Sequence, residues 1–467
     1  MTDHKLPSFW HSLVCFGGIL VLIVTGVVVY RISIQVLLLL SITWASIHTM
    51  LLGYKFSEVK NIMSDGISKA LGAVYIFILI GVVVASFLAS GTITTLVYYG
   101  LDFIHPAVFL PVGLILCSFM SVSVGTMVGT VATVGVILIG IGAAMGVPLP
   151  IVAGMVIAGA SFGDKMSPVS DTTNMAAVAT GTDLFTHIKS MLYTTVPTFV
   201  ICLILFSFIG MEYAGQALDT AGIDNFKAAI ADNFEVSILG FVPLIILFGM
   251  SYKKIPAEPS MMTASFVAIL LALFQQGQDL LSLLSSLHGG YSAETGNADL
   301  DRLVNRGGIM GMMGTLLIAL FAMALAGILD NAGYIRAMLE GILKHLKNVL
   351  SLIAATMLTG IVASIATGQS YISIVLTAQL FRDKFDKMGL KKRMLSRTIE
   401  ESTTLTTPLL PWSLGGAFYS GALGVAVFDY APWAFLNYLN VVVALIMTAM
   451  GLAIFRKEKI ADQETAK

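Results

Sequence analysis

The chain has 467 residues, is 57% hydrophobic and only 11% charged, and has a mean hydropathy of +0.89. Soluble domains carry roughly 25% charge, so composition excludes an ordinary water-soluble fold. A formal net charge of -1 argues against a nucleic-acid partner. Apolar runs such as 13–30, 71–89 and 190–209 are too continuous for barrel strands, which alternate over about ten residues. The expected class is an all-α polytopic membrane protein with the lipid bilayer as its solvent.

In chain order, apolar elements are predicted at 10–30, 33–52, 71–98, 107–124, 127–146, 149–180, 190–210, 236–250, 260–287, 308–329, 349–367, 370–381, 398–420 and 432–455. The first reads as a span, because more spans and no small-residue cleavage site follow it. A full crossing needs roughly 20 residues, so 236–250 and 370–381 are short, and the expected number of crossings is about 11 to 14. Cys15, Cys117 and Cys202 fall in apolar runs without metal or disulfide spacing, as small buried hydrophobes do. His48, His105 and His288 have no metal partner at a recognised spacing and read as caps or interfacial groups. Asp330 and Asn331 end one span. Trp10, Trp412, Trp433 and Tyr98-Tyr99 are candidate interface anchors or pore-lining groups. The segment 334–348 reads as an interfacial amphipathic helix.

Basic residues orient membrane helices towards the cytoplasm. Lys55, Lys60 and Lys69, then Lys253 and Lys254, form two such loops. A larger cluster holds Arg382, Lys384, Lys387, Lys391, Lys392, Arg393 and Arg397, and Arg456, Lys457 and Lys459 follow the last span. The loop 211–235 carries Glu212, Asp219, Asp224, Asp232 and Glu235 against Lys227 and is expected outside. Both termini are then cytoplasmic. Fourteen elements split into two sets of seven, which assigns residues 1–235 and 236–467 to the two halves of an inverted-topology repeat. Ser167-Pro168 pairs with Thr407-Pro408, and Gly125-Thr126 with Thr367-Gly368; the basic stretch 382–397 reads as an insertion replacing 145–149. Inverted repeats with discontinuous helices near the midplane mark secondary transporters. No GxxxxGK[ST] loop for ATP and no TVGYG-type filter is present in the sequence.

Two polar runs interrupt the apolar pattern. The first is Gly163-Asp164-Lys165-Met166-Ser167-Pro168-Val169-Ser170-Asp171-Thr172-Thr173-Asn174. Charge at membrane depth is costly and by default functional. Pro168 lacks a backbone donor and restricts Ser167, so the helix should break there. Freed carbonyls, Asp171, Ser167, Thr172, Thr173 and Asn174 would offer oxygens to a small cation such as Na⁺. A carboxylate held away from water tends to keep its proton, and a bound cation displaces it. That competition is the simplest antiport chemistry. Asp171 is the first choice for Na⁺ and Asp164 the second, possible partner of Lys165; a helix cap at Asp171 and a structural ion pair at Asp164–Lys165 are the alternatives. The second run has Glu400 and Glu401, then Thr403, Thr404, Thr406 and Thr407 around the breaks Pro408 and Pro411. Either glutamate could gate or relay protons, or simply pair with Arg397. Thr126 and Thr130, matched by Gln369 and Ser370, could approach the site or merely bond between helices.

The first run closely resembles the GDKxSPxSDTTN signature of NhaC-type Na⁺/H⁺ antiporters. Gly125-Thr126, Gly129-Thr130 and Thr133-Val134-Gly135 are similar to that family's GTxxGTxxTxG stretch, except that Met127-Val128 replaces its usual Ser-Trp. Glu400-Glu401-Ser402-Thr403-Thr404 with Pro408, Pro411 and Trp412 resembles its C-terminal half, and the resemblance covers about residues 10–455. It implies a non-enzymatic exchanger of cytoplasmic Na⁺ for external H⁺ in a bacterial inner membrane, with no cofactor and a possible homodimer. Some relatives couple Na⁺ and H⁺ to malate and lactate, which is the runner-up, with Lys165 as the anion contact and Gln369-Ser370 in support. A Na⁺ channel without obligatory counter-flux is the alternative of another class.

Overall fold

A computed structural model describes residues 6–69, 71–103, 105–215, 220–253, 255–342 and 348–457. Asp219, Lys254, Lys459 and the 343–347 part of the expected interfacial helix lie outside the described residues. All regular elements among the described residues are helical, with one isolated bridge joining Leu390 to Arg456. Among the described residues nine helices are long and apolar enough to cross a membrane, or up to twelve if each of three bent pairs counts as one span.

Local chemistry explains where several expected spans changed. The element expected at 260–287 divides into Ala257–Phe274 and Leu280–Gly289. Gly277 takes a left-handed φ of 63°, and Asp279 caps the second helix by accepting from the N–H groups of Leu281 and Ser282. The element expected at 398–420 is instead Lys392–Thr403, an irregular stretch, and Leu414–Leu423. The short 370–381 becomes the 18-residue helix Ser370–Lys387, whose last turn carries Lys384 and Lys387 where the helix dipole favours positive charge. Helix Tyr334–Ile342 packs on Phe9–Val28, and Tyr334 is buried against Thr49, so this segment turns that side inward. Trp412 is likewise buried and donates to the Ile365 carbonyl at 2.8 Å, which removes it from the interface anchors.

A structural register emerges that the sequence does not show plainly. Helix Pro106–Val124 ends on Gly125 at φ 77°, and helix Val349–Thr367 ends on Gly368 at φ 62°. The next residues, Thr126 and Gln369, are extended. Each is followed by an 18-residue helical stretch, Met127–Ala144 or Ser370–Lys387. Later, Ser170 and Ser413 each cap a ten-residue helix, Asp171–Thr180 or Leu414–Leu423, which ends on a left-handed glycine, Gly181 or Gly424. From 125 to 368, 170 to 413 and 181 to 424 the offset is 243 each time.

The constant offset corrects three expectations. The basic stretch 382–397 is no insertion, because the register is the same on either side of it. Gly125 falls on Gly368 rather than on Thr367. Pro168 falls on Pro411 rather than on Pro408, each two residues before its capping serine.

The two ten-residue helices exchange partners. Asp171–Thr180 packs on Ser370–Lys387 and Lys392–Thr403, whereas Leu414–Leu423 packs along 127–144. Helices Pro106–Val124 and Leu149–Met166 approach closely enough that a Cβ at Gly163 would lie 2.4 Å from the Ser118 carbonyl oxygen. Small residues permit such contact where lipid supplies no hydrophobic drive between helices. This tight pair carries the first break to the middle of the packed helices.

Candidate ion-binding cavity

Helix Leu149–Met166 stops where Ser167, extended before Pro168, can no longer continue it. The chain restarts at Asp171 because the Ser170 hydroxyl accepts from the Thr173 N–H. Asn174 locks the intervening loop, donating to the carbonyls of Pro168 at 3.0 Å and Ser170 at 2.7 Å. Thr173 donates towards the last-turn carbonyls of Asp164 and Lys165 at 3.3 and 3.2 Å. Ser167 donates to the Val122 carbonyl at 2.8 Å, and Thr130 to that of Thr126 at 3.1 Å. Ser167, Thr173 and Asn174 therefore hold the break together, Thr130 closes the first turn of its own helix, and none of the four lines the cavity described below. A broken helix leaves backbone groups in need of partners, and the nearest hydroxyls and amides supply them.

What remains faces a cavity of about 350 Å³. Its walls include Gly125, Thr126, Met127 and Val128 from one half and their register mates Gly368, Gln369, Ser370 and Tyr371 from the other. Asp164, Asp171 and Thr172 add oxygens from the first proline break, and Thr404, Thr407 and Pro408 meet them from the second. Asp164 is 8% exposed, and its Oδ2 accepts from the Thr172 hydroxyl at 3.4 Å. The Met127 backbone N–H and the Ser170 hydroxyl also reach this carboxylate. A carboxylate at a helix N-terminus is well placed electrostatically. Asp171 is exposed in the first turn of its own helix, beside the Tyr371 hydroxyl.

The second wall is quieter chemically. Thr407 donates to the Thr403 carbonyl at 2.8 Å and meets the Ser370 hydroxyl at 2.8 Å. The Gln369 amide rests on Met323 Sδ. Thr404 is the exception, since its buried hydroxyl adjoins the Glu400 carboxylate rather than a backbone carbonyl. Thr403 donates back to the Ile399 carbonyl and does not face the cavity. Pro408 also lines the wall, its carbonyl held by the Tyr430 hydroxyl at 2.6 Å, while Pro411 serves the restart of the chain rather than the lining.

Lys165 departs furthest from expectation. Successive helix positions diverge by about 100°, so Lys165 points away from Asp164 and donates from Nζ to Asn440 Oδ1 at 2.7 Å. It is fully buried and outside the cavity, so it neither pairs with Asp164 nor contacts a solute there. Behind the same wall, Glu401 accepts from the Thr194 hydroxyl and lies 3.8 Å from the Arg397 guanidinium, the pairing allowed for from sequence. Glu400 Oε2 lies 3.9 Å from His187 Nε2, and both side chains are fully buried. His187, Asn440, Thr194 and Tyr371 were not singled out from sequence. The one available signal was polarity at positions 187, 194 and 440 within otherwise apolar helices. Lys69 completes the cavity rim, and an adjoining cavity extends past Asp171 to Ile255–Glu258. Both openings lie next to the basic segments that contain Lys69 and Lys253.

The model of the Na⁺/H⁺ antiporter family matches residues 4–173 and 159–452. The chain belongs to that family. The malate-2H⁺/Na⁺-lactate antiporter of Bacillus subtilis is 34% identical, the match covering 97% of this chain and 96% of that one. The Na⁺/H⁺ antiporter NhaC of Alkalihalophilus pseudofirmus is also 34% identical over 98% of this chain and 99% of its own. The arginine/ornithine antiporter ArcD of Halobacterium salinarum is 32% identical over 97% and 94%. Membership of the antiporter family makes this chain a multi-pass membrane transporter and not an enzyme. All three relatives bear the name antiporter, although their named cargoes differ.

Proposed function

We propose that the protein exchanges cytoplasmic Na⁺ for external H⁺ by alternating access in a bacterial inner membrane, with both termini cytoplasmic. The two halves, 1–235 and 236–467, run in opposite senses and rock about the cavity between their breaks. The supporting observation is a carboxylate, Asp164, buried where hydroxyls from both breaks face one space. Na⁺ and H⁺ compete for that carboxylate, because a bound cation and a proton cannot both be held comfortably on it. Thr172, Thr126 and Thr404 supply neutral oxygens, and Asp171 at the rim draws the cation in. Asp171 is thus the entry group in this reading, and Asp164 the shared site.

In everted membrane vesicles, Asp164→Asn should abolish Na⁺-dependent proton movement while Asp171→Asn should mainly raise the Na⁺ concentration needed. Normal exchange by a folded Asp164→Asn protein would remove the assignment.

One observation favours a second reading. A space of about 350 Å³ exceeds what a bare cation fills and falls within the roughly 300–1,000 Å³ of small-molecule sites. Lys69 on the rim would meet the carboxylate of an organic anion of the malate or lactate kind. Strict dependence of Na⁺ and H⁺ movement on such an anion would establish this reading over the first.

A further inference from the structure

Arg306, in the turn between helices Ala298–Val304 and Gly308–Gly311, is a guanidinium packed inside the protein and remote from both polar runs. Its Nε and Nη2 are shut off from water and have no hydrogen-bond partner. No carboxylate among the described residues offsets its charge. The helices around this turn, Leu71–Ala89, Leu280–Gly289 and Leu414–Leu423, contain no Asp or Glu. Asp301, on the preceding helix, is engaged by the Thr295 N–H and hydroxyl. An uncompensated buried charge costs stability. Packing alone gives no reason for it, because a neutral side chain of similar size would fill the space without that cost.

The turn lies on the side of the cavity away from Lys69. Helix Leu71–Ala89 starts beside Lys69 at the rim, passes the cavity wall at Phe77 and meets the turn at Ala85, whose backbone nitrogen would lie 2.8 Å from a Cβ on Gly307. At 1.5 Å per residue, Ala85 is about 12 Å beyond Phe77. Helix Leu414–Leu423 lines the cavity with Phe418 and Tyr419 and ends on Gly424, where a Cβ would lie 3.8 Å from Arg306 Nη1. Gly424 is about 9 Å beyond Phe418. Two cavity-lining helices thus converge on the guanidinium. On that side the wall is closed by aromatic rings, Phe77 and Phe418 at 5.9 Å and Phe418 and Tyr419 at 5.3 Å, all three buried. The end of helix Leu414–Leu423 supplies about half an elementary negative charge, so a positive surplus remains behind the rings.

We propose that Arg306 is a cation barrier on the outer side of the cavity, which keeps Na⁺ from leaking through the protein while the cavity opens inward. A positive charge in a low-dielectric setting repels a small cation about 10 Å away far more strongly than it would in water. An arginine placed on a transport path excludes cations by this means. The rings of Phe77, Phe418 and Tyr419 are the steric part of the seal, and Arg306 is the electrostatic part. Its charge acts on Na⁺ that moves without a proton partner, so it protects coupling and does not hold the cargo. This inference rests on the alternating-access reading of the cavity and adds the element that prevents leak in one of its states.

The test uses the full-length protein in proteoliposomes, with Na⁺ uptake at a series of imposed inside-negative potentials and proton counter-flow recorded together. Wild type should keep a fixed number of protons per Na⁺ at every potential. Arg306→Gln should add Na⁺ uptake that grows with the potential and has no proton partner, about tenfold above the wild-type excess, the order expected of one charge at this distance. Arg306→Lys, which keeps the charge, should stay tight. A tight Arg306→Gln protein, or an equally leaky Arg306→Lys protein, would overturn the proposal. Should the Arg306 variants fail to fold, Gly424 decides the matter, because its left-handed backbone is one that Asp and Asn accept. Gly424→Asp would set a carboxylate beside the guanidinium and should leak, whereas Gly424→Asn, of the same shape without the charge, should not. Equal behaviour of that pair would contradict a barrier made by charge. Absence of Na⁺-driven proton flow in wild type would instead sink the Na⁺/H⁺ reading, which the leak measurement does not depend on.

Discussion

Asp164 and Thr407 occupy the same register position in the two matched stretches, 243 residues apart, and face the same cavity. Their surroundings share a backbone plan: a helix ending on a left-handed glycine, an extended residue, an 18-residue helical stretch, a proline break and a serine-capped ten-residue helix. Their chemistry differs. One position carries a buried carboxylate, and the other a hydroxyl already committed to the Thr403 carbonyl and Ser370. The next residues are Lys165 and Pro408, the one bonded to Asn440 and the other lining the wall. Equal scaffolds with unequal charge make the first break the charged side of the cavity and the second its neutral wall.

Substitutions at paired positions can break that comparison. The largest effect is expected for Asp164→Asn. Loss of one member of a buried charge contact costs about 3 kcal/mol, or about 100-fold in Na⁺ affinity. Thr407→Val at the mate position should change affinity less than about tenfold, since one neutral hydrogen bond is worth about 1 kcal/mol. Equal losses from the two, measured as Na⁺ affinity by isothermal titration, would mean that the walls are not unequal after all.

Lys165→Met should come next, through stability. It strands Asn440 and the nearby glutamates in a buried setting, so thermal unfolding in detergent should shift downward by several degrees, corresponding to about 3 kcal/mol. An unaltered transition would show that Lys165 is not held as described.

Gly125→Ala and Gly368→Ala sharpen the comparison at the backbone. Both glycines are left-handed, which costs another residue about 1–2 kcal/mol. A Cβ at Gly125 would also lie 2.8 Å from Val169 Cβ, whereas at Gly368 the nearest atom is the Trp412 carbonyl oxygen at 3.2 Å. Gly125→Ala should therefore be the more damaging to stability, and the reverse order in a thermal assay would contradict the packing. The smallest effect is expected for Thr172→Val, which removes one hydroxyl from Asp164 for about 1 kcal/mol, visible as a several-fold weaker Na⁺ dependence of exchange.

The class of fold, the break at Ser167-Pro168 and the presence of two polar runs that line one cavity are legible in the sequence because charge, proline and hydroxyls stand out against lipid-facing residues. The register was not, because its markers are single glycines and serines whose left-handed or capping role is a backbone property. Asp164 and Asp171 were both found, but their division into buried and exposed groups depends on where helix Leu149–Met166 stops. Ser167, Thr173, Asn174 and Thr130 look like ligands by type and donate instead to backbone carbonyls, since each lies within reach of one at a helix end. His187 and Asn440 were missed because single polar residues in long apolar helices have no partner until distant helices pack.

The central claim, that one cavity exchanges Na⁺ for H⁺ on Asp164, is tested most directly by Na⁺-driven proton flux in proteoliposomes. Wild type should move protons against a Na⁺ gradient with no organic anion present, and Asp164→Asn should not. Flux that requires malate or lactate, Na⁺ conductance without proton counter-flux, or full activity in Asp164→Asn would each contradict it.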